Sequence, residues 1–388
     1  METIPFWQYF ETLTDPRRMT RGNGRHKMKD IVMIAMCGFL CGLDSFEEVA
    51  EFAQDQEPWF RTFLELPNGI PSHDTIERVL AMLDAEQFEQ CFSNWAQSVA
   101  KLFPGEVVAI DGKSMRHSYD KATSKKALHI VSAWAADNEL VLGQVATDEK
   151  SNEITAIPKL LQALQLADCV VTIDAMGCQT EIARQIVEDK SADYILALKG
   201  NQPTLQVAVA AHFATALDDP QQSKRLSTTT TVDKGHGRIE TRTCWVSHDL
   251  SMFADRRKWT GLRSLVMIES TRDTGTAVST EKRYYISSIV DGTAERMLHA
   301  VRNHWGVENR LHYRLDVSMG DDASRRRAAN AAHVSTVMRR IALNLFRLPG
   351  RNTTSIPRLQ AKCLYRPDFR ATILLTGKAS PSRSLTNA

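Results

Sequence analysis

Two aspartates stand at the ends of two apolar runs. In Val107-Val-Ala-Ile-Asp111-Gly-Lys-Ser114 and Cys169-Val-Val-Thr-Ile-Asp174-Ala-Met-Gly177, β-branched residues lead straight into a carboxylate. Each reads as a buried strand that presents an acid at its C-terminal end. Two close carboxylates repel each other, and a divalent cation relieves that repulsion. Oxygen donors without a His or Cys cluster suit Mg²⁺ or Mn²⁺ rather than Zn²⁺. A site with two ions, the kind that displaces groups at phosphorus, needs a third carboxylate.

The best third candidate is Glu308, in Arg302-Asn-His-Trp-Gly-Val-Glu-Asn-Arg-Leu-His-Tyr-Arg-Leu-Asp316. Trp305 and Leu311 frame it, which predicts a partly buried side chain. His304 and His312, four residues to either side, share its helix face. A zinc site from these three is the alternative reading. Asp316, Asp321 and Asp322 are rival third carboxylates, the last two reading better as caps or turns.

These acids need a scaffold. Strands are expected at 107–110, 127–134 and 140–145, with a hairpin turn at Asp137-Asn-Glu. An amphipathic helix at 154–166, a strand at 170–173, a helix at 180–187, a strand at 194–198 and a helix to about residue 217 follow. The order β-β-β-α-β-α-β-α gives a mixed sheet in which the first and fourth strands are neighbours, so that both aspartates share one sheet edge. Residues 1–98 read as a helical domain with possible DNA binding. Residues 104–220 and 293–347 form the catalytic core around a β-rich insertion at 225–290. The core ends in a long helix at 325–345, and 350–388 read as a loosely ordered basic tail with one short helix.

The composition is that of an ordinary globular protein, 43% hydrophobic and 24% charged. Seven scattered cysteines with no CxxC pair read as buried thiols, in keeping with a reduced, cytoplasmic chain. The start, Met1-Glu-Thr-Ile-Pro5, has no signal-peptide character, and the apolar run 31–43 is too short to span a bilayer. The net charge of +2 hides an asymmetry: 17 Lys and Arg against 5 Asp and Glu from residue 296 onward, and 31 against 41 before it. That balance points to a polyanionic partner, with a solvated basic tail as the alternative. The loop 15–29, with six Lys and Arg, is a further candidate for phosphate contact.

The motifs Ile110-Asp111-Gly-Lys-Ser114, Thr172-Ile-Asp174-Ala-Met-Gly-Cys-Gln179, Leu198-Lys-Gly-Asn-Gln202, Gly235-His-Gly-Arg238-Ile-Glu240-Thr-Arg242 and His304-Trp-Gly-Val-Glu308-Asn, with Leu315-Asp-Val317, together resemble the H-repeat-associated transposases of bacterial insertion sequences, the ISAs type of the DDE superfamily. The resemblance spans about residues 5 to 347. It implies a ribonuclease H-like catalytic core, a mixed α/β sheet flanked by helices, with the β-rich insertion before the glutamate-bearing helix. It implies metal-dependent cutting of DNA at element ends and strand transfer into a target. The family triad falls on Asp111, Asp174 and Glu308. A related branch carries Tyr-x2-Arg-x3-Glu-x6-Lys around its glutamate; here Val301, His304 and Leu315 occupy those flanking positions, so those phosphate contacts do not carry over.

The expectation is therefore a transposase acting on double-stranded DNA, with Mg²⁺ or Mn²⁺, two ions in all. A homodimer in the DNA complex and a cytoplasmic, nucleoid-associated location go with it, and no membrane. Candidate DNA contacts are Lys113 and Lys199 past the strand ends, and His236, Arg238 and Arg242 in the insertion. Arg302, His304, Arg310 and Arg314 around Glu308 complete the set. The rival functions are a structure-specific nuclease on the same core and a catalytically idle DNA-binding relic.

Overall fold

The computed structural model describes residues 6–18, 24–115, 127–147, 153–235, 237–251, 253–324, 329–348 and 354–376. Its first helices form where the sequence supplies caps and apolar stripes. The apolar run becomes α1 (Met28–Cys41), buried from Asp30 onward and ended by Gly42 in left-handed geometry (φ 74°). Ser45 and Glu48 close a capping box on α2 (Phe46–Asp55), and α3 (Glu57–Phe60) follows. Ser72 and Asp84 accept backbone N–H bonds at the starts of α4 (His73–Met82) and α5 (Ala85–Val99). The first described element is a single 3-10 turn, Phe6–Phe10, whose rings pack on Trp95 and Phe88.

The sheet follows the expected order. β1 (Val107–Ser114), β2 (His129–Ala135) and β3 (Leu140–Ala146) are antiparallel neighbours. The helix α6 (Glu153–Ala163) leads to β4 (Val170–Ile173), parallel to β1; α7 (Thr180–Arg184) and a π turn lead to β5 (Asp193–Leu198), parallel to β4. The order β3-β2-β1-β4-β5 is the ribonuclease H-like arrangement. Side chains alternate along β1: Val107 and Ala109 join one apolar cluster, Val108 and Ile110 the other. Helices therefore cover both faces. β1 does not stop at Asp111. β2 keeps pairing with it as far as Ser114↔His129, whereas β4 ends opposite Ile110. Asp111 is thus held in the ladder on one side and open on the other.

After α8 (Pro203–Asp218) and α9 (Pro220–Ser223) come β6 (Ser227–Gly235), β7 (Arg238–Ser247), β8 (Ser264–Asp273) and β9 (Val278–Ser287). They are antiparallel, and β9 pairs with β5, so one nine-stranded sheet runs β3-β2-β1-β4-β5-β9-β8-β7-β6. The ends nearest the core bury Val246, Leu265, Met267 and Ile286; the far ends carry Thr, Lys and Glu and stand in solvent.

Thr293 caps α10 (Ala294–Gly306), and the helix runs on through π turns at Val307–His312 and Arg314–Ser318. Next, α11 (Ala331–Arg347) is buried along almost its whole length against β3, α1, α4 and α5. Its Asn344 accepts from the Val141 N–H (2.9 Å) and donates to the Val141 carbonyl (2.8 Å), closing the edge of β3. Residues 325–328, where this helix was expected to start, lie outside the described residues.

The expected loose tail is in large part folded. α12 (Ile356–Tyr365), α13 (Pro367–Ala371) and a π turn at Thr372–Thr376 bury Ile356, Leu359, Cys363, Phe369 and Ile373 in the cluster of the N-terminal helices. Arg370 is fully buried. It donates to the Cys363 carbonyl (2.7 Å) and to Gln56 (3.0 Å), and lies over the rings of Trp59 and Phe52. The periodicity was masked by interleaved Arg, Lys and Pro, although these apolar positions do fall at helical spacing. Part of the C-terminal basic excess is therefore internal, since Arg339 and Arg340 are buried as well. All seven cysteines are buried and free. Among the described residues no helix is long and apolar enough to cross a membrane.

Candidate active site

The last rung between β1 and β4 is Ile110↔Ile173, so the next residues, Asp111 still in the ladder with β2 and Asp174 just past the end of β4, stand side by side. Asp174 then caps the 3-10 turn Ala175–Gly177, with its Oδ1 accepting from Met176 N (3.0 Å) and Gly177 N (3.4 Å). Two glycines make this geometry possible. A Cβ at Gly177 would lie 2.3 Å from Ile173 Cγ2, and one at Gly112 would lie 2.1 Å from Glu153 Oε1.

The third acid arrives on the long helix. Its orientation is set one turn earlier, where His304 Nδ1 meets Thr172 Oγ1 of β4 at 3.0 Å. The π turn that follows carries Glu308 and His312. His312 is buried, and its Nδ1 lies 3.5 Å from Asp111 Oδ2 and 3.6 Å from Glu308 Oε2. Ligand atoms of Asp111, Glu308 and His312 all fall within 4.8 Å of one another, a group that could hold a metal ion. Asp174 stands outside this tight group and is coupled to it through charge. Glu308 is exposed rather than partly buried, 59% for its side chain, because Trp305 points to solvent under Arg283 instead of covering it.

The electrostatics are those of crowded acids. Burial, then Glu308 and Asp174, push Asp111 up to about 7. Burial and Glu153 raise Asp174. Burial, then Arg340 and Lys113, push His312 down to about 3, so its ring is neutral at pH 7. Glu153, which opens α6, is a carboxylate that sequence reasoning missed. His129 Nε2 holds it at 2.8 Å, and His129 Nδ1 meets Ser114 Oγ at 2.8 Å. An acid in the first turn of a helix is ordinary, so nothing in the sequence set it apart.

The rival carboxylates are used elsewhere. Asp316 pairs with Lys113, and buried Asp321 meets Arg339 (3.4 Å), Arg340 (3.5 Å) and Lys113 (3.8 Å). Asp322 follows in the turn. The zinc face also separates, because Thr172 holds His304 while His312 joins the acids.

Residues 102–345 match the family described as "Transposase DDE domain", and residues 7–96 match "DDE_Tnp_1-associated". The chain belongs to the DDE transposases. It is 42% identical over 343 residues to "Putative transposase YncI" of Escherichia coli O157:H7, covering 87% of this chain and 86% of that one. It is 38% identical over 353 residues to "H repeat-associated putative transposase YhhI" of Escherichia coli strain K12, covering 89% and 91%. A shorter match, 32% over 56 residues, is to "Inactive transposase YbfQ" of the same strain. Among solved structures, a piggyBac transposase synaptic complex with hairpin DNA aligns with a TM-score of 0.45 and 10% identity, over 91% of this chain and 74% of that one.

The residues of this transposase expected to touch DNA divide by what already holds them. Lys113 is buried between Asp316 and Asp321, which removes it from phosphate contact. His304 is bonded to Thr172 and pushed down to about 4 by burial, so it brings no positive charge to a phosphate at pH 7. Arg314 is bound to Glu139 at 3.0 Å, beside Arg347. Lys199 is exposed close to Asp174. Arg302 pairs with Asp233, Arg242 with Asp233 and Glu240, Arg238 with Glu240, and Arg310 loosely with Glu139 (3.9 Å). Arg302–Asp233, with both side chains nearly half exposed, is a weak and exchangeable surface pair, whereas Glu240, Glu139 and Arg242 are largely covered. His236 lies outside the described residues.

Proposed function

We propose that this transposase cuts DNA at the ends of an insertion sequence and joins the freed end to a target, with Asp111, Asp174 and Glu308 as its catalytic carboxylates. The observation that carries the reading is the convergence of these acids at one sheet edge. Among the described residues, no lysine or arginine pairs with Asp111 or Glu308 there. Protonation or a cation from outside must relieve that repulsion. The donor set, with its carboxylate oxygens, fits Mg²⁺ or Mn²⁺, and two ions are expected across the three acids. Ions held by these residues would supply activation of a water or a DNA 3′-hydroxyl and stabilisation of the leaving oxygen in an in-line displacement. Asp111, fixed in the ladder, and Glu308, on the helix, hold the shared side of the site; Asp174 supplies the other. Lys199, the exchangeable Arg302, and Arg310, Arg238 and Arg242 meet the DNA phosphates.

The partner is double-stranded DNA, element end and target, engaged by a homodimer, and the location is the cytoplasm at the nucleoid. The test is metal-dependent cleavage and strand transfer on a DNA carrying the element end. Asp111→Ala, Asp174→Ala and Glu308→Ala should each lower cleavage by roughly three orders of magnitude or more while DNA binding persists. Retained cleavage in any of the three overturns the assignment of that residue. Cutting without strand-transfer products would identify a nuclease instead.

A further inference from the structure

We propose that His312 is a nitrogen ligand in the metal centre and that it tilts the site towards Mn²⁺ over Mg²⁺. The inference rests on reading the acid cluster as a metal site and adds a donor that the three carboxylates do not include. Two ligands of one ion with bonds of about 2.1 Å stand roughly 3.0 Å apart at a right angle and about 3.4 Å apart at a tetrahedral angle. His312 Nδ1 lies 3.5 Å from Asp111 Oδ2 and 3.6 Å from Glu308 Oε2. Those spacings are too long for good hydrogen bonds and stand about half an ångström beyond adjacent octahedral ligands, so a small side-chain adjustment brings the three donors onto one ion. The ring is 7% exposed and cannot swing to solvent without opening the helix packing. Its Nε2 is buried with no hydrogen-bond partner among the described residues, so the interactions of the ring are those of Nδ1 with the two acids.

The chemistry follows from the donor. Imidazole nitrogen is a poor ligand for Mg²⁺, which keeps to oxygen, and a good one for transition metals. A site of two carboxylates and one imidazole therefore favours Mn²⁺ more than carboxylates alone do. Glu308 and His312 both belong to the π turn at Val307–His312, and wide turns of this kind commonly mark functional positions.

Pulsed EPR of the full-length protein loaded with Mn²⁺ tests this without any variant. The expected spectrum shows coupling to a directly bound ¹⁴N, and His312→Gln removes it while circular dichroism shows the fold intact. Metal titration should show Mn²⁺ bound at least about tenfold more tightly than Mg²⁺, with that ratio falling severalfold in His312→Gln. A wild-type spectrum with oxygen ligands only, alongside Mn²⁺ binding that Asp111→Asn abolishes, overturns the role of His312 and leaves the carboxylate site standing. Mn²⁺ binding that is absent, or indifferent to Asp111→Asn, overturns both.

Discussion

Two groups of carboxylates share one strand and one helix and live by opposite rules. Asp111 and Glu308, with Asp174, face each other, and among the described residues no lysine or arginine is bound to Asp111 or Glu308. Two residues along β1, on the same face of the strand, Lys113 reaches past the reactive acids; two turns along the helix, Asp316 meets it, and Asp321 is locked between Arg339 and Arg340. The first group keeps its charge unspent and is ready for a cation and a phosphate. The second neutralises its charge internally and ties β1 to the helix and to α11. A buried ion pair is weak support for stability as such, but each of its members becomes costly once its partner is gone. The same chain segments thus carry both the reactive acids and the fixture that holds them in place.

The largest effect should come from breaking the fixture. Asp321→Ala leaves Arg339 and Arg340 buried without their carboxylate and should cost about 3–5 kcal/mol in urea unfolding. A loss below about 1 kcal/mol would mean that the network is not what holds the helix end.

Removing charge from the reactive group should do the reverse. The Asp111 value of about 7 stands above the 3.8 of an unperturbed aspartate. The folded chain therefore holds that proton more tightly than the unfolded one. Its contribution favours folding below about pH 4, is lost as pH rises towards 7, and stays lost above it. Asp111→Asn should accordingly stabilise the metal-free protein at pH 8 by up to about 4 kcal/mol, an advantage that shrinks as pH falls from 7 to 4. Melting curves across that range decide it. A variant less stable than wild type at pH 8 contradicts the picture of unspent charge.

Lys113 lies on the boundary between the two groups. Lys113→Met should cost about 1–3 kcal/mol, less than loss of Asp321, because Asp316 reaches water and Asp321 keeps two arginines. Adding Asp316→Asn should restore part of the loss, since the two changes remove one interaction. Strict additivity would dissolve the pair.

The contrast also shows what could be read from residues alone. Asp111 and Asp174 were legible because an apolar β-branched run makes a buried strand, a charge cannot continue into that core, and the strand order brings the two acid-bearing ends together. Which lysine is spent was not legible: Lys113 and Lys199 look alike in sequence, and only the register of β1 against the helix separates them. Glu153 was hidden because a helix-opening acid is commonplace. The burial of Arg339, Arg340 and Arg370 was hidden because partners distant in sequence supply their acceptors. The extension of the sheet through β9 depended on a pairing with β5 that no local pattern encodes.

The smallest stability effect should fall on the outermost charges. Arg302 and Asp233 meet at 3.0 Å with side chains 44% and 46% exposed. Such a pair contributes about 0–1 kcal/mol, so Arg302→Ala should leave the melting temperature almost unchanged. Asp233 keeps Arg242 at 2.6 Å, which limits the loss further. The effect should appear instead in DNA binding. If Arg302 exchanges Asp233 for a phosphate, the slope of log K against log salt should become shallower by about 0.9, equally for all DNA sequences. Lys113→Met should leave that slope alone, because its charge never reaches the surface. An unchanged slope in Arg302→Ala, or a shallower one in Lys113→Met, would reverse the division between spent and unspent charge.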